Sequence, residues 1–162
     1  MMAGMLRFVC MNGLVCGDVV EDVRVPHKGD VADNVIQGAY DVLDGFDLVR
    51  EVRDTMREVK LEPAEAEIFA RSALALRYEP DPLKPAPITE AQLLQPRRMA
   101  DDKNDLWSTF NRVQEDMVRG GLPGRSANGQ RRRTRGVQGI DQGVKVNRAL
   151  WMLAEEMRKL KA

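Results

Sequence analysis

Residues 31–59, VADNVIQGAYDVLDGFDLVREVRDTMREV, decide the class of fold. Val31, Val35, Val42, Phe46, Val49, Val52, Met56 and Val59 recur at spacings of three, four and seven. That periodicity lays one apolar stripe along an amphipathic helix over about 31–60. Asp30, just before it, is a side chain suited to the N-cap. Gly38 and Gly45 weaken the helix, and Asp44-Gly45 marks a place for a kink or a break. Working toward the C-terminus, Pro63 suits the first turn of a second helix to about Arg77, carrying Ile68, Phe69, Ala73, Leu74, Ala75 and Leu76. The next segment, EPDPLKPAPIT (79–89), holds four prolines and reads as a linker or extended strap.

Thr89-Glu90 then opens a short helix over 90–95, stopped by Pro96. A helix over 105–119 puts Leu106, Phe110, Val113 and Met117 on one face and ends at Gly120-Gly121. Residues 120–139 carry six glycines and one proline and read as a flexible loop. A last helix, 144–160, shows Val146, Leu150, Leu153, Met157 and Leu160 at alternating spacings of four and three, the seam of a helix packed on a partner helix.

Toward the N-terminus, residues 6–28 read as extended. Phe8, Val9 and Cys10 favour a strand, and Asn12-Gly13 is the strongest dipeptide signal for a tight turn. A two-residue turn there would pair Met11 with Leu14, Cys10 with Val15 and Val9 with Cys16. The cysteines would then point to opposite faces, which disfavours a disulfide. Val23 to Val25 reads as a third strand, ended by Pro26. The expected fold is therefore mainly α with a small N-terminal β-hairpin (α+β), in a single domain over 1–162. Its parts are the extended 6–28, an acidic helical 30–78, a Pro-rich connection 79–104, and the final helix, loop and helix of 105–162.

The chain has 162 residues, about one domain's worth, with 25 basic and 25 acidic side chains. A net charge of zero argues against a nucleic-acid packaging protein and against an acidic DNA mimic. No run of 18 apolar residues is present, so no membrane partner is expected. The first residues lack a basic leader and a small-residue cleavage site, so a cytoplasmic location is expected. Cys10 and Cys16 are too few for a disulfide scaffold. With His27 the only histidine, a Ser-His-Asp triad would have to use it, and the spacing of Cys10, Cys16 and His27 fits no tight zinc pattern. No phosphate-binding or nucleophile-elbow motif occurs. The expectation is no catalytic residue, no metal, no cofactor and no enzymatic activity; a carboxylate-metal nuclease is the one enzymatic alternative the acidic residues leave open.

Charge is unevenly placed. Residues 1–100 carry 12 basic and 17 acidic side chains, whereas residues 101–162 carry 13 basic and 8 acidic. From Arg119 to Arg135 there are six arginines and no acid: Arg119, Arg125, Arg131, Arg132, Arg133 and Arg135. Lys145 and Arg148 follow. Guanidinium contacts phosphate bidentately and stacks on bases, so this segment is read as a nucleic-acid-binding loop for DNA or RNA. Its rivals are pairing with the acidic face of residues 41–67 and a passive solvated loop. Trp107 and Trp151 lie beside apolar stripes and read as core.

NDLWSTFNRVQEDMVRGGL (104–122) and RRRTRGVQGIDQGVKVNRALWMLAEEMRKLK (131–161) resemble a family of phage- and plasmid-borne proteins of unknown function, the YfjQ, YafZ and YubP type. LRFVCMNGLVCGD (6–18) and VRVPHKGD (23–30) are similar to its N-terminal motifs. The resemblance is strongest at Trp107, Phe110, Asn111, Gln114, Gly120, Gly121, Arg135, Asp141, Asn147, Arg148 and Trp151. It implies members that are usually longer, with a β-rich half ahead of the part matched here. It also implies a mobile-element setting near anti-restriction and DNA-processing genes, and no catalytic residues. Two functions follow as expectations: an accessory protein that binds nucleic acid through the arginine segment, or an anti-defence inhibitor of a host restriction or CRISPR protein. The strand edge at 6–16 and the C-terminal helix each offer a route to a homodimer.

Overall fold

The computed structural model describes residues 2–3, 8–9, 15–16, 23–24, 29–78, 81, 85–97, 99, 103–126 and 128–161. They fall in two compact units, residues 1–55 and 56–162.

In the first unit, two-residue strands pair antiparallel. Strand β1 (Met2–Ala3) meets β4 (Val23–Arg24), and β2 (Phe8–Val9) meets β3 (Val15–Cys16). The expectation of an N-terminal hairpin as the sheet of this fold is overturned. Phe8 faces Cys16 and Val9 faces Val15, one residue away from the register that a two-residue Asn12-Gly13 turn demands. Asn12-Gly13, Cys10 and His27 lie outside the described residues. The longer strand pair is in the other unit, at residues 120–135.

Helix α1 (Val31–Glu58) runs from the first unit into the second. Asp30 caps it as expected, its Oδ1 accepting from the N–H groups of Ala32 (2.9 Å) and Asp33 (3.2 Å). Gly38 and Gly45 do not break it. A glycine costs a helix about 1 kcal/mol against alanine, too little to interrupt a run this long. The apolar stripe is not uniformly covered, however: Val31 and Val35 are exposed, whereas Met56 is buried, and Ile36, Tyr40 and Leu43 off the stripe are exposed as well.

The second unit is built around α4 (Leu106–Arg119). It packs on α2 (Pro63–Arg77), α3 (Glu90–Leu94) and α5 (Ile140–Lys161). Leu106, Phe110, Val113 and Met117 are all buried, as their spacing predicts. They meet Phe69, Ala73 and Leu74 of α2, Leu93 of α3, and Leu150, Ala154 and Met157 of α5 in one core. Trp107, Phe110 and Trp151 form an aromatic cluster, with Phe110 edge-on to Trp151 at 5.4 Å between ring centroids. A central helix is buried on more than one side, so polar residues are buried with it. Gln114 Nε2 donates to Asn147 Oδ1 at 2.8 Å, and Asp105 caps α4 by accepting from Ser108 N at 2.8 Å. Backbone bonds Leu61 N to Asn104 O and Leu106 N to Val59 O tie the end of α1 to the start of α4.

Two helical details differ from the periodicity. On α2, Ile68 and Leu76 are exposed, and the buried face is Phe69, Ala70, Ala73 and Leu74. Helix α5 begins at Ile140, four residues before the expected start at 144, and its last seam residue, Leu160, is exposed. Replacing Phe110 with Ala should cost about 3–5 kcal/mol of stability, read as a lower urea midpoint. A midpoint unmoved by that change would remove α4 from the centre of the core.

Glu65 joins the first turn of α2 to the last turn of α5. Lys161 Nζ donates to both its oxygens, at 2.8 and 2.9 Å, and the Glu62 N–H donates to Oε2 at 2.7 Å. The Lys161 bonds first, then the backbone bond, hold its carboxyl below the ordinary range. A depressed folded pKa contributes stability above the unfolded value, about 4.3 for Glu, and loses it as pH falls through the folded value. Urea midpoints measured from pH 6 down to about pH 3 should therefore fall less in Glu65→Gln than in the wild type.

Candidate nucleic-acid interface

The segment read as a flexible loop is a β-hairpin. Strand β5 (Gly120–Arg125) pairs antiparallel with β6 (Arg131–Arg135), with Pro123 opposite Arg133, Gly124 opposite Arg132 and Arg125 opposite Arg131. The turn closes through Ser126 N to Gln130 O at 2.9 Å and Gly129 N to Ser126 O at 2.8 Å, with Gly129 at a φ of 75°. The signal was in the sequence. Asn128-Gly129 is the same turn dipeptide as Asn12-Gly13, and it stands between GLPGR and RRRTR. Six glycines and the absence of an apolar alternation hid it.

The hairpin starts where α4 stops. Gly120 caps the helix at a φ of 67°, and a Cβ there would run into the backbone of Thr134, Arg135 and Gly136. A Cβ on Gly136 would in turn lie 2.5 Å from Arg119 O and 2.8 Å from Val118 O. The two glycines let the helix end and the strand end cross in backbone contact, and Val137 N donates to Val118 O at 2.8 Å. Arg77 of α2 clamps the crossing, donating to the carbonyls of Met117 and Arg135.

On the other side, the Pro-rich residues 85–89 lie against β5. Arg125 N donates to Pro87 O at 2.9 Å, Gln92 Nε2 donates to Pro123 O at 2.7 Å, and Ile88 is buried. The strap expected at 79–89 is thus docked, in its described residues, on the hairpin. Between them lies a groove of about 600 Å³, with Pro85, Ala86, Pro87, Thr89 and Gln92 on the strap side and Arg125, Arg131, Arg132 and Arg133 on the hairpin side.

The expected site residues divide into three groups. Arg125, Arg131, Arg132, Arg133 and Arg135 are exposed on the hairpin. Strand alternation sends Arg131, Arg133 and Arg135 to one face and Arg132 to the other. Among the described residues of this unit, no carboxylate pairs with any of the five, although Arg133 donates to Gly121 O at 2.7 Å. Arg119 is different: it pairs with Glu115, a 2%-exposed carboxylate one helical turn back, at 2.8 Å. Asp116, equally buried, is met by Arg97. Lys145 and Arg148 stand exposed on α5. No described hydrogen bond or ion pair joins them to the hairpin arginines. No three His, Cys, Asp or Glu side chains among the described residues are grouped to hold a metal ion. No helix among them is long and apolar enough to cross a membrane.

Arg125 and Arg131 are direct cross-strand neighbours. Like charges in that position destabilise a strand pair. The hairpin is held against this repulsion by its turn, its glycine crossing and its strap.

The chain belongs to the DUF932 family, a domain of unknown function, whose model matches residues 1–151. It is 52% identical over 157 residues to the UPF0380 protein YafZ of Escherichia coli (strain K12), and 52% identical over 157 residues to the UPF0380 protein YfjQ of the same strain. Each match covers 97% of this chain and 56% of the relative, so the chain spans little more than half the length of these curated relatives. The resemblance carried by residues 104–122 and 131–161 is borne out. No solved structure matches the chain.

Replacing Gly120 with Ala should loosen the crossing between α4 and β6. Trypsin cleavage at Arg131, Arg132 and Arg133, followed by mass spectrometry, should quicken by about tenfold or more, since a forbidden φ and a backbone clash cost upward of 1–2 kcal/mol. Equal cleavage rates would mean that the crossing does not hold the hairpin.

Proposed function

We propose that this chain is a binding protein that contacts DNA or RNA through the β5–β6 hairpin, with Arg125, Arg131, Arg132, Arg133 and Arg135 meeting backbone phosphates. The observation that carries the reading is the Arg125–Arg131 pair, two guanidinium groups set opposite one another with no carboxylate partner among the described residues of their unit. An anion between them converts a repulsion into two charge-assisted contacts. Arg119 is left out of the phosphate set because buried Glu115 holds it. Lys145 and Arg148 remain contributors to the surrounding positive field.

Phosphate contacts position a protein on nucleic acid but do not specify sequence. The Arg-only character of the strand suits bidentate phosphate contacts better than lysines would. Five such contacts give a slope of log K on log salt of about −4 to −5, a loss of several hundredfold between about 50 and 200 mM salt.

Replacing Arg131, Arg132 and Arg133 together with Ala should weaken binding of a fluorescent oligonucleotide across sequences and flatten the salt slope by about 3. Anisotropy titrations at the two salt concentrations measure both quantities. Binding and slope unchanged in the triple variant would sink the proposal.

A further inference from the structure

We infer that the groove between residues 85–89 and the β5–β6 hairpin takes one extended, unpaired strand of nucleic acid, in preference to a duplex. The inference rests on the hairpin's being a phosphate-binding surface and adds which form of nucleic acid fits it.

The two walls differ in chemistry. The hairpin wall brings Arg125, Arg131, Arg132 and Arg133, which suit phosphates. The strap wall brings Pro85, Ala86, Pro87 and Ile88, which are apolar, with Thr89 and Gln92 at its end and Gln92 Nε2 already committed to Pro123 O. Prolines have no N–H, so this wall offers ring faces and carbonyl acceptors but few donors. A duplex presents anionic backbone outward and keeps its base faces stacked, so an apolar wall facing the arginines gains nothing from it. An unpaired strand presents phosphate on one side and bare base faces on the other. Its phosphates match the arginine wall and its bases match the proline wall. Arg guanidinium planes also stack on free bases.

The volume agrees. About 600 Å³ lies within the range of sites for small ligands, roughly 300–1,000 Å³, which suits a short piece of strand and not the width of a double helix. The groove is also held open. Ile88 is buried at 4% exposure, and the bonds from Arg125 N to Pro87 O and from Gln92 to Pro123 O fix the strap on β5. With few donors at the strap wall, recognition is tolerant of sequence.

The test is anisotropy titration of the full chain with a labelled single-stranded oligonucleotide and with a duplex of the same sequence, at about 50 mM salt. The single strand should bind roughly tenfold or more tighter, the gain from stacking about one base. Ala86→Leu, which narrows the groove with a side chain that cannot stack on a base and leaves every arginine in place, should reduce that preference and keep duplex binding at the wild-type level. Equal binding of the two forms by the wild type, or tighter duplex binding, overturns the single-strand inference and leaves the phosphate surface standing. A preference that survives undiminished in Ala86→Leu, in a variant with wild-type thermal unfolding, overturns the groove as its source. Binding of neither form at low salt overturns both readings.

Discussion

The close crossing of Gly120 and Gly136 is the constraint on which the C-terminal architecture depends. At that point a helix end and a strand end meet with no side chain between them. The crossing fixes where β5 leaves α4 and where β6 returns to it. Arg77 then ties both ends to α2 through carbonyls of Met117 and Arg135. A short two-stranded ribbon is marginal alone. Here it is held at its base by the helical core and along β5 by the strap. That support lets the strands carry residues chosen for charge and not for packing.

The treatment of charge separates two kinds of arginine. Arg119 and Arg97 serve the carboxylates Glu115 and Asp116, which α4 buries because it is central. A buried carboxylate without a cation would cost several kcal/mol, so these arginines belong to the fold. The hairpin arginines have no such duty within their unit. Their sequence neighbourhood looks continuous, Arg119 to Arg135, yet its first member pairs with a buried carboxylate and the others stand exposed on the hairpin.

The helices were legible in the sequence because their cause is local and periodic. The buried Leu106, Phe110, Val113 and Met117 follow directly from spacing, and the Asp30 cap follows from residue type. The β-structure was misplaced because its cause was neither. The N-terminal pairing has a register that Asn12-Gly13 does not produce. The C-terminal hairpin rests on backbone bonds, a turn at Asn128-Gly129 and a glycine crossing. Composition registers those same residues as disorder. The candidate arginines were visible as charge, but their division between Glu115 and the free surface required the fold. The docking of Pro87 on Arg125 was visible only as a run of prolines, since no pattern in 79–89 names its partner.

The proline strap has a consequence for how copies of the chain meet. An open sheet edge is a template for another strand, and two-stranded sheets have two such edges. On β5 that invitation is withdrawn, since Pro123 has no N–H to give and Arg125 N is already bonded to Pro87. On β6 the row of arginines makes any second copy of the same strand a like-charged neighbour. The sheet therefore stays at two strands by design of its edges. Colloidal repulsion between hairpins is strongest in dilute salt and fades as ionic strength rises, so the solubility of this unit is tied to the same screening length that governs its attraction for anions.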